Sequence, residues 1–408
     1  RLTEEGAGVA AKAGLDLEVR RVAVRSPGRQ RGFSLPEAAV TTRPWEVVED
    51  PTVELVVEVM GGSDPAFDLV RRALELGKPV VTANKELIAA RGPELLDTAA
   101  RAGVPLLFEA AVGGAIPIIR PLTETLAGER IEQVMGIVNG TTNFILTRMA
   151  DEGSDFAAAL AEAQSLGYAE ADPTADVSGA DAAAKASILA SLAFATWVAP
   201  DRVYQEGITG VSPIDLAFAA DLGYAVRLLA IAQRTGGGVS ARVHPAMVPL
   251  EHPLAAIRGA TNAILIRGPA VGELLFAGPG AGGEPTATAV LGDVIDAARG
   301  LRSGSQMVPR ISLGTGSVVD AAEVPTRWYL RLEVADKPGV LASIATAFAD
   351  AGVSIKSVWQ EGRGDDATLL MITHEAPERQ QRAAAAALDG LDVVEEVAAA
   401  IRVEGDLE

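Results

Sequence analysis

The sequence has no cysteine, few histidines and no long apolar run. The absence of cysteine from its 408 residues excludes disulfide bonds, thiolate zinc sites and catalysis through a cysteine thioester. The histidines are too few and too scattered for a zinc or iron cluster; they are His244, His252 and His374. No apolar stretch is long enough to span a bilayer, and residues 1–12 lack the apolar core of a signal peptide. Together these absences predict a cytoplasmic protein.

The charge of the chain is strongly acidic, with a formal net value of -19 at pH 7. Nucleic-acid binding requires a clustered basic surface, so we expect no nucleic-acid partner. Hydrophobic residues make up 49% of the chain and charged residues 22%, which is typical of a globular protein. The length allows two or three domains.

Residues 1–117 alternate between strand-like and helix-like patterns. We predict strands at residues 18–25, 53–60, 79–82 and 104–109 and helices at residues 65–76 and 86–102. Near-continuous apolar strands separated by amphipathic helices favour a doubly wound, Rossmann-like α/β fold with a parallel sheet. Ligands of such folds bind at the carboxyl ends of the strands. We therefore assign residues 1–117 to a nucleotide domain, to which a predicted helix at 286–300 returns.

The rest of the chain changes pattern twice. Residues 118–285 combine helices and strands without regular alternation, which predicts an α+β domain for catalysis and dimerisation. Its predicted strands are 131–138, 241–249 and a pair within 263–277; its predicted helices are 144–151, 156–166 and 180–197. Residues 301–325 are rich in Gly and Ser and are interpreted as a linker. Residues 326–408 have βαββαβ order, which predicts a ferredoxin-like unit.

The segment with the clearest chemistry is residues 167–185, which read GYAEADPTADVSGADAAAK. Asp181 and Lys185 are four residues apart and share one face of a helix. A partly desolvated lysine beside a carboxylate can donate and accept protons, and a carboxylate outside that pair suits a substrate ammonium group. On spacing alone, a capped helix start with a solvated ion pair is the simpler interpretation.

Four shorter segments carry weaker signals. Residues 136–146, GIVNGTTNFIL, offer main-chain N–H groups to a carboxylate or form an ordinary helix cap. Lys85 in TANK faces a ligand crevice or is a surface lysine after an Asn84 cap. Glu109 and the carbonyls of FEAAVGGAIP suit a hard cation or merely connect domains. The glycines of residues 278–286, GPGAGGEPT, approach a nucleotide or form a linker.

In this order and spacing, GIVNGTTNFIL, GYAEADPTADVSGADAAAK, TANKE and GPGAGGEPTA resemble the homoserine dehydrogenases over nearly the whole chain. That family uses NAD(P) to interconvert homoserine and aspartate 4-semialdehyde in threonine, methionine and isoleucine biosynthesis. The resemblance implies that Lys185 exchanges the proton at the substrate oxygen, that Asp181 orients or tunes it, and that Lys85 touches cofactor and substrate. The implied substrate-binding residues are Glu170, Asp176, Tyr168, Gly140 and Thr141. A sodium ion would be bound by Glu109 and the carbonyls of Val112, Gly114 and Ile116.

The family also opens with a strand and a G-x-G-x-x-G loop for the pyrophosphate, and this sequence has neither. We expect a segment of roughly fifteen to twenty-five residues to precede Arg1. The second strand ends in Arg25 and Ser26, where NAD-specific folds carry an acid, which favours NADP over NAD unless Arg25 faces solvent or stacks on the adenine. The implied cofactor-binding residues are Arg25, Ser26, Gly61, Lys85, Gly280 and Gly282.

The C-terminal sequence VADKPGVL, residues 334–341, turns from a strand into a helix. With the βαββαβ order it resembles an ACT domain, a module that binds small amino acids, and threonine is the effector that the family implies. The implied regulatory residues are Asp336, Gly339, Val340 and Leu341. A domain kept only for dimerisation explains the same pattern. We expect a homo-oligomer, either a dimer or a tetramer.

Two other functions fit parts of the sequence. Semialdehyde and phosphoglyceraldehyde dehydrogenases share the two-domain architecture, but they form a thioester on a cysteine, and this chain has none. A non-catalytic protein that binds amino acids for regulation is the remaining alternative, and turnover of homoserine distinguishes it from an enzyme.

Overall fold

The computed structural model describes residue 2 and residues 6–28, 39–304, 311–362 and 367–405. Residues 305–310 of the expected linker lie outside the described ranges. The chain forms two compact units. Arg1–Gly128 and Ala281–Gly314 make up the first unit, and Glu129–Gly280 and Thr315–Glu408 make up the second.

The first unit is built on a parallel sheet. Its elements are α1 (Gly6–Ala13), β1 (Val22–Ala23), β2 (Val40–Thr41), α2 (Pro44–Glu49), β3 (Val56–Glu58), α3 (Ala66–Glu75), β4 (Val80–Thr82), α4 (Lys85–Ala102), β5 (Leu106–Leu107) and α10 (Gly283–Ser303). Strands β3, β4 and β5 lie side by side in that order and run parallel, as predicted, and β1 pairs in parallel with β2. Helix α10 belongs to this unit, where Val294 and Ala297 pack against Val81 and Leu107.

The second unit contains one long mixed sheet. Its elements are β6 (Gln133–Ile137), α5 (Gly140–Glu152), α6 (Phe156–Ser165), α7 (Thr174–Val177), α8 (Ala180–Phe194), β7 (Tyr204–Gln205), α9 (Pro213–Asp221), β8 (Tyr224–Thr235), β9 (Gly238–Pro249), β10 (Thr261–Gly268), β11 (Gly272–Pro279), β12 (Pro325–Val334), α11 (Val340–Asp350), β13 (Ile355–Glu361), β14 (Ala367–Thr373), β15 (Ala376–Pro377), α12 (Glu378–Asp389) and β16 (Val394–Val403). The sheet order is β11-β10-β6-β8-β9-β16-β12-β14-β13, with β7 beside β9 and β15 beside β12.

The C-terminal part of this sheet has the predicted ferredoxin-like order. Strands β12, β13, β14 and β16 and helices α11 and α12 follow the βαββαβ sequence, and the strands lie in the order β16-β12-β14-β13. Leu330, Leu332, Ile344, Phe348 and Leu369 are buried in its core. The sheet continues into the rest of the second unit, the part predicted to be catalytic, because β16 pairs in parallel with β9.

Several local differences from the sequence prediction bear on function. The expected turn at Asn139 is the cap of α5, so the helix starts at Gly140 rather than at residue 144. Strand β8 and helix α9 were not predicted. Within residues 301–325, α10 runs to Ser303, and Val318 pairs with Val239. No helix in the described ranges is long and apolar enough to cross a membrane.

Candidate active site

Lys185 and Asp181 lie one turn apart on α8 and form a buried ion pair. The Lys185 ammonium Nζ donates to Asp181 Oδ2 at 2.7 Å and to the carbonyl oxygen of Val138 at 2.7 Å. The two side chains are only 12% and 9% exposed. The pair is therefore largely desolvated, unlike the solvated surface bridge that spacing alone favours. An ammonium has three donors, so these two bonds leave one for a substrate oxygen.

Asn139 joins this pair to a second carboxylate, although it is not among the site residues predicted from the sequence. Its Nδ2 donates to Asp176 Oδ1 at 2.7 Å and to Asp181 Oδ2 at 2.9 Å. Its Oδ1 accepts the main-chain N–H of Thr142 at 2.8 Å, which caps α5. The helix cap could be predicted from the sequence. The partners of the amide donors could not, because they lie 37 and 42 residues away along the chain.

Asp176, in α7, is the carboxylate of this network that lies outside the lysine pair. Burial raises the pKa of Asp176 above its ordinary value of 3.8. The hydrogen bond from Asn139 opposes that shift, the negative charge of Asp181 adds to it, and the charge of Lys185 opposes it. A cation bound next to Asp176 would favour its ionised form, so the position suits a ligand ammonium group.

The start of α5 adds main-chain donors beside the network. A Cβ atom at residue 140 would lie 2.6 Å from the carbonyl oxygen of Ala260, so only glycine allows this close approach. The first N–H groups of a helix have no partner within the helix. Thr141 Oγ1 donates to the carbonyl oxygen of Tyr168 at 2.6 Å, which ties the helix start to the loop before α7. Gly140 and Thr141 therefore suit a carboxylate ligand.

The loop before α7 carries Tyr168 and Glu170, and both are exposed. The ring of Tyr168 lies with its centroid 4.9 Å from that of Phe144 on α5. The main-chain carbonyl of Glu170 accepts a hydrogen bond from Gln164 Nε2 at 3.1 Å. The loop is thus held by its backbone and by one ring, while the Glu170 carboxylate is open to solvent.

In the first unit, a buried polar network fixes the carboxyl edge of the parallel sheet. Glu58 at the end of β3 accepts from Thr82 Oγ1 at 2.7 Å and from the N–H of Met60 at 2.6 Å. Asn84 Nδ2 donates to the carbonyl of Gly62 at 2.7 Å. These bonds hold the loops after β3 and β4 in place, which is where a doubly wound fold binds its ligand.

Gly61 and Lys85 lie at this edge. A Cβ atom on Gly61 would meet nothing within 4 Å, so the space beside it is open. Lys85 is the half-buried first residue of α4, directly after the Asn84 cap, whose side chain accepts the N–H of Leu87 at 3.0 Å. The structure therefore has the Asn84 cap, and the contact of Lys85 with cofactor and substrate stays a prediction.

The remaining residues predicted to bind the cofactor lie on other loops. Arg25 and Ser26 follow β1 and are exposed. A Cβ atom on Gly280 would lie 1.9 Å from Asn262 Nδ2, and Gly282 has a φ of 116°. These two glycines are therefore required by packing and by backbone conformation, whether or not a nucleotide binds there.

The Glu109 carboxylate, an expected sodium ligand, is occupied by hydrogen bonds from the main chain. Its Oε1 accepts the N–H groups of Ile118 and Ile119 at 2.5 and 2.7 Å, and its Oε2 accepts that of Arg120 at 3.0 Å. Three main-chain donors thus surround the carboxylate, and they would repel a cation. The described ranges contain no group of three or more His, Asp or Glu residues that could hold a metal ion. These hydrogen bonds disfavour the Glu109 carboxylate as a ligand, and the sodium site stays a prediction.

The predicted regulatory residues lie on the loop from β12 into α11. Asp336 is exposed, and Gly339 caps α11 with a φ of 98°, a conformation that favours glycine. Val340 is buried in the ferredoxin-like core, whereas Leu341 is exposed. Of the four predicted residues, Asp336 and Leu341 therefore expose one acidic and one apolar side chain next to a helix start, with the exposed Lys337 between them.

Comparisons with known proteins identify the family. The homoserine dehydrogenase model matches residues 117–295, the model of the homoserine dehydrogenase NAD binding domain matches residues 3–109, and the ACT domain model matches residues 328–393. The homoserine dehydrogenase of Mycobacterium tuberculosis is 49% identical over 97% of this chain and 92% of its own length.

Solved structures agree with these matches. A homoserine dehydrogenase crystal structure from Thiobacillus denitrificans is 41% identical, with a TM-score of 0.92 over 99% of this chain and 94% of that one. A hyperthermophilic archaeal homoserine dehydrogenase in complex with NADPH is 35% identical, with a TM-score of 0.56 over 63% of this chain and 75% of that one.

Proposed function

The chain belongs to the homoserine dehydrogenase family, and we propose that Lys185 exchanges the proton at the oxygen of its substrate. As a member of this family, the chain interconverts homoserine and aspartate 4-semialdehyde with a nicotinamide cofactor. The observation that carries the proposal is the Lys185 ammonium, desolvated and held 2.7 Å from Asp181 Oδ2. A group of this kind is suited to proton transfer in a site that excludes water.

The roles of the pair follow from its charges. A bound nicotinamide cofactor supplies the hydride in one direction and removes it in the other. During aldehyde reduction, negative charge develops on the carbonyl oxygen, and an ammonium at that oxygen stabilises the charge and donates the proton. In the reverse direction, the neutral amine accepts the hydroxyl proton. Asp181 and the Val138 carbonyl keep Nζ in one position through both directions.

The substrate groups find complementary residues around the pair. We assign the substrate ammonium group to Glu170 and Asp176, because the Glu170 residue is open to solvent and the half-buried Asp176 carboxylate lies outside the Lys185–Asp181 ion pair. We assign the substrate carboxylate to the main-chain N–H groups of Gly140 and Thr141 at the start of α5. Tyr168 lies on the same loop as Glu170 and is the remaining residue that we assign to substrate binding.

Substitution of Lys185 tests the proton donor. Lys185→Ala is expected to lower kcat by about a thousandfold with little change in KM, because general acid–base groups contribute about 10²–10⁴-fold. Lys12→Ala, which removes an exposed lysine of α1, is the control and should keep full activity. A Lys185→Ala enzyme as active as this control would overturn the assignment. Absence of homoserine turnover in the unaltered chain would favour the alternative of a non-catalytic amino-acid-binding protein.

We also propose that NADP is the preferred cofactor. The support is Arg25, an exposed arginine just after β1, where a 2′-phosphate is recognised in folds of this type. We expect the cofactor also to contact the loops that contain Gly61, Lys85, Gly280 and Gly282. Arg25→Ala is expected to reduce the ratio of kcat/KM for NADP to that for NAD by about tenfold, the loss of one charged hydrogen bond. An unchanged ratio would contradict Arg25 as the determinant of the preference.

A sodium ion, where one binds, would be held by main-chain oxygens alone. We propose the carbonyls of residues Val112, Gly114 and Ile116 together with the main-chain carbonyl of Glu109, since its carboxylate is occupied. The ion would brace the loop after β5. Thermal unfolding in sodium and in potassium chloride at equal ionic strength is the test, and equal stability in both salts would count against the site.

Threonine is the effector we propose for the ACT domain, with Asp336, Gly339, Val340 and Leu341 as its binding loop. An ammonium group would pair with Asp336, and the start of α11 would bind the carboxylate. Calorimetric titration with threonine, using alanine as the control ligand, tests the proposal. Binding that is unchanged in Asp336→Ala would reject this loop as the site.

We further propose that the chain forms a homo-oligomer. Strand β13 ends the long sheet and exposes Val358 and Trp359, so an apolar strand edge is available for pairing. Sedimentation of the wild type and of Trp359→Asp tests the proposal. A monomeric wild type would contradict it, whereas an unaffected oligomer in the variant would place the interface elsewhere.

A further inference from the structure

Residues 204–208, which we call the β7 segment, connect the ferredoxin-like part of the second unit to the start of α8. Tyr204 and Gln205 pair in parallel with Arg242 and Val243 of β9. The N–H of Glu206 donates to the carbonyl of Val243 at 2.8 Å. The main chain of the segment is thus attached to the long sheet, while its side chains contact the elements on either side.

On one side, the β7 segment is held by Arg402 of β16. The Arg402 guanidinium donates to the Tyr204 hydroxyl at 3.0 Å, pairs with Glu206, and pairs with Glu378 of α12 at 2.7 Å. The Arg402 side chain is only 3% exposed. A buried guanidinium depends on its partners, so the ferredoxin-like part fixes where Glu206 lies.

On the other side, the β7 segment packs on residues 177–179, which we call the α7–α8 turn. Gln205 Nε2 donates to the carbonyl of Ser178 at 3.0 Å, and the N–H of Ile208 donates to the carbonyl of Val177 at 2.9 Å. A Cβ atom on Gly207 would lie 2.1 Å from the Val177 carbonyl oxygen. The two backbones are therefore in direct contact, with no room between them for a side chain.

The α7–α8 turn separates the two carboxylates of the candidate active site. Asp176 precedes it and Asp181 follows it, and Asn139 bonds to both. A shift of the turn would change the distance between these two carboxylates. It would also move the Lys185 ammonium, which donates to Asp181 at 2.7 Å. The position of the β7 segment thus influences the geometry of the proton-transferring pair.

We propose that Glu206 and Gln205 are positioning residues for the reaction, through which the ferredoxin-like part holds the Lys185–Asp181 pair in its working geometry. They touch neither substrate nor cofactor in this proposal, which rests on the function assigned above to Lys185. Misplacement of a catalytic group by about 1 Å can cost about a hundredfold in rate. Loss of the Glu206 contact with Arg402 or of the Gln205 contact with Ser178 is therefore expected to slow catalysis without weakening substrate binding.

Two variants and a matched control test the proposal in the full-length chain. Glu206→Gln weakens the pairing with Arg402, and Gln205→Ala removes the bond to Ser178 from an exposed position. Glu404→Gln is the control, because Glu404 pairs with Arg242 at 2.8 Å in the same region and none of its described bonds reaches the α7–α8 turn. Both test variants should lower kcat by about tenfold, with KM for homoserine within about twofold of wild type. Their solvent deuterium isotope effect on kcat should rise, because the proton transfer becomes slower.

The proposal is overturned when both test variants have the kcat and isotope effect of Glu404→Gln, or when losses of kcat only follow losses of melting temperature across all three proteins. Should Glu206→Gln not fold, Gln205→Ala decides alone. Failure of the Lys185 assignment is seen separately, because Lys185→Ala would then stay active whatever the β7 segment variants do.

Discussion

At the scale of single residues, the candidate site depends on Asn139, which caps a helix and bridges two carboxylates with one side chain. Asn139→Ser should keep a cap for α5, since serine is a favoured cap residue, but it loses the amide donors to Asp176 and Asp181. Hydrogen bonds to charged groups contribute about 1.5–3 kcal/mol, so kcat should fall by about tenfold to a hundredfold. Steady-state kinetics with a circular dichroism melt checks both parts. A serine variant with unchanged kcat would show that the bridge has no catalytic effect.

Asp176 predicts a pH dependence. Burial raises the pKa of its carboxyl above 3.8, so the ionised form is lost already as pH falls through that raised value. If ionised Asp176 binds the substrate ammonium group, kcat/KM for homoserine should decline on the acid side in the same window. Asp176→Asn should have a lower plateau of kcat/KM and no such acid limb. A wild-type acid limb that persists unchanged in Asp176→Asn would assign it to another group.

The contacts of the site residues could be predicted from the sequence to different extents. The pairing of Asp181 with Lys185 follows from a spacing of four on a helix, and the structure has the pair. The burial of that pair was not predictable, because it depends on Val138 at the end of a distant strand. The Glu109 carboxylate was interpreted as a metal ligand because a carboxylate near carbonyls suits a cation, while its bonds to residues 118–120 come from a turn without periodic signal.

At the scale of elements, the start of α12 shows how a charged cluster stabilises the ferredoxin-like part. Glu378 accepts from Thr326 Oγ1 at 2.7 Å, from Trp328 Nε1 at 3.0 Å and from Arg402 at 2.7 Å. Burial alone would raise the pKa of Glu378, but the charge of Arg402 and these hydrogen bonds outweigh burial and lower it below 4.5. A carboxyl whose pKa is lowered in the folded state contributes stability above its unfolded pKa.

The corresponding prediction is a loss of stability in acid. As pH falls below about 4.5, the stability contributed by ionised Glu378 should be lost progressively until the pH has passed the lowered pKa. Glu378→Gln should be less stable by about 3 kcal/mol at pH 7, because it leaves Arg402 buried with one fewer charge partner, and its stability should vary less with pH. Urea unfolding at several pH values measures both. A pH dependence that is identical in the two proteins would contradict the role of Glu378.

Helices and strands were predictable from the sequence where one face is buried, and they were less predictable where both faces are buried. Helix α3, whose apolar residues recur on one face, lies within one residue of each predicted end. Strand β8, YAVRLLAIAQRT, is buried over most of its length, so its near-continuous apolar run has no period that distinguishes a strand from a buried helix. The predicted strand at residues 18–25 shortens to two residues, because among the described residues only β2 pairs with it.

At the scale of the whole molecule, the second unit joins catalytic and ferredoxin-like parts in a single sheet. Buried ion pairs reinforce the connection: Arg331 of β12 donates to Asp215 at 2.7 Å, and Asp215 caps α9 together with Ser212. We therefore expect the two parts to unfold together. Arg331→Met should destabilise them by about 3–5 kcal/mol, since it leaves a buried carboxylate unpaired. Calorimetry combined with thermal loss of activity tests this prediction, and a ferredoxin-like part that melts on its own, before activity is lost, would contradict it.

The continuous sheet gives the ACT domain a physical connection to the candidate site. Strand β16 pairs with β9, β9 pairs with β7, and the β7 segment touches the α7–α8 turn. The domain matches were expected from the sequence motifs, but this connection was not, because it depends on residues far apart in the chain such as Arg402 and Glu206.

The measurement that tests the central assignment most directly is chemical rescue of Lys185→Ala. Homoserine-dependent reduction of NADP is followed in that variant with increasing methylammonium at fixed ionic strength, with tetramethylammonium, which has no exchangeable proton, as the control. A saturable return of activity with methylammonium alone is the expected result, because a small amine can occupy the space left by Nζ and exchange the proton. Equal activity with both cations, or activity of Lys185→Ala equal to wild type without either, would contradict Lys185 as the group that exchanges the substrate proton.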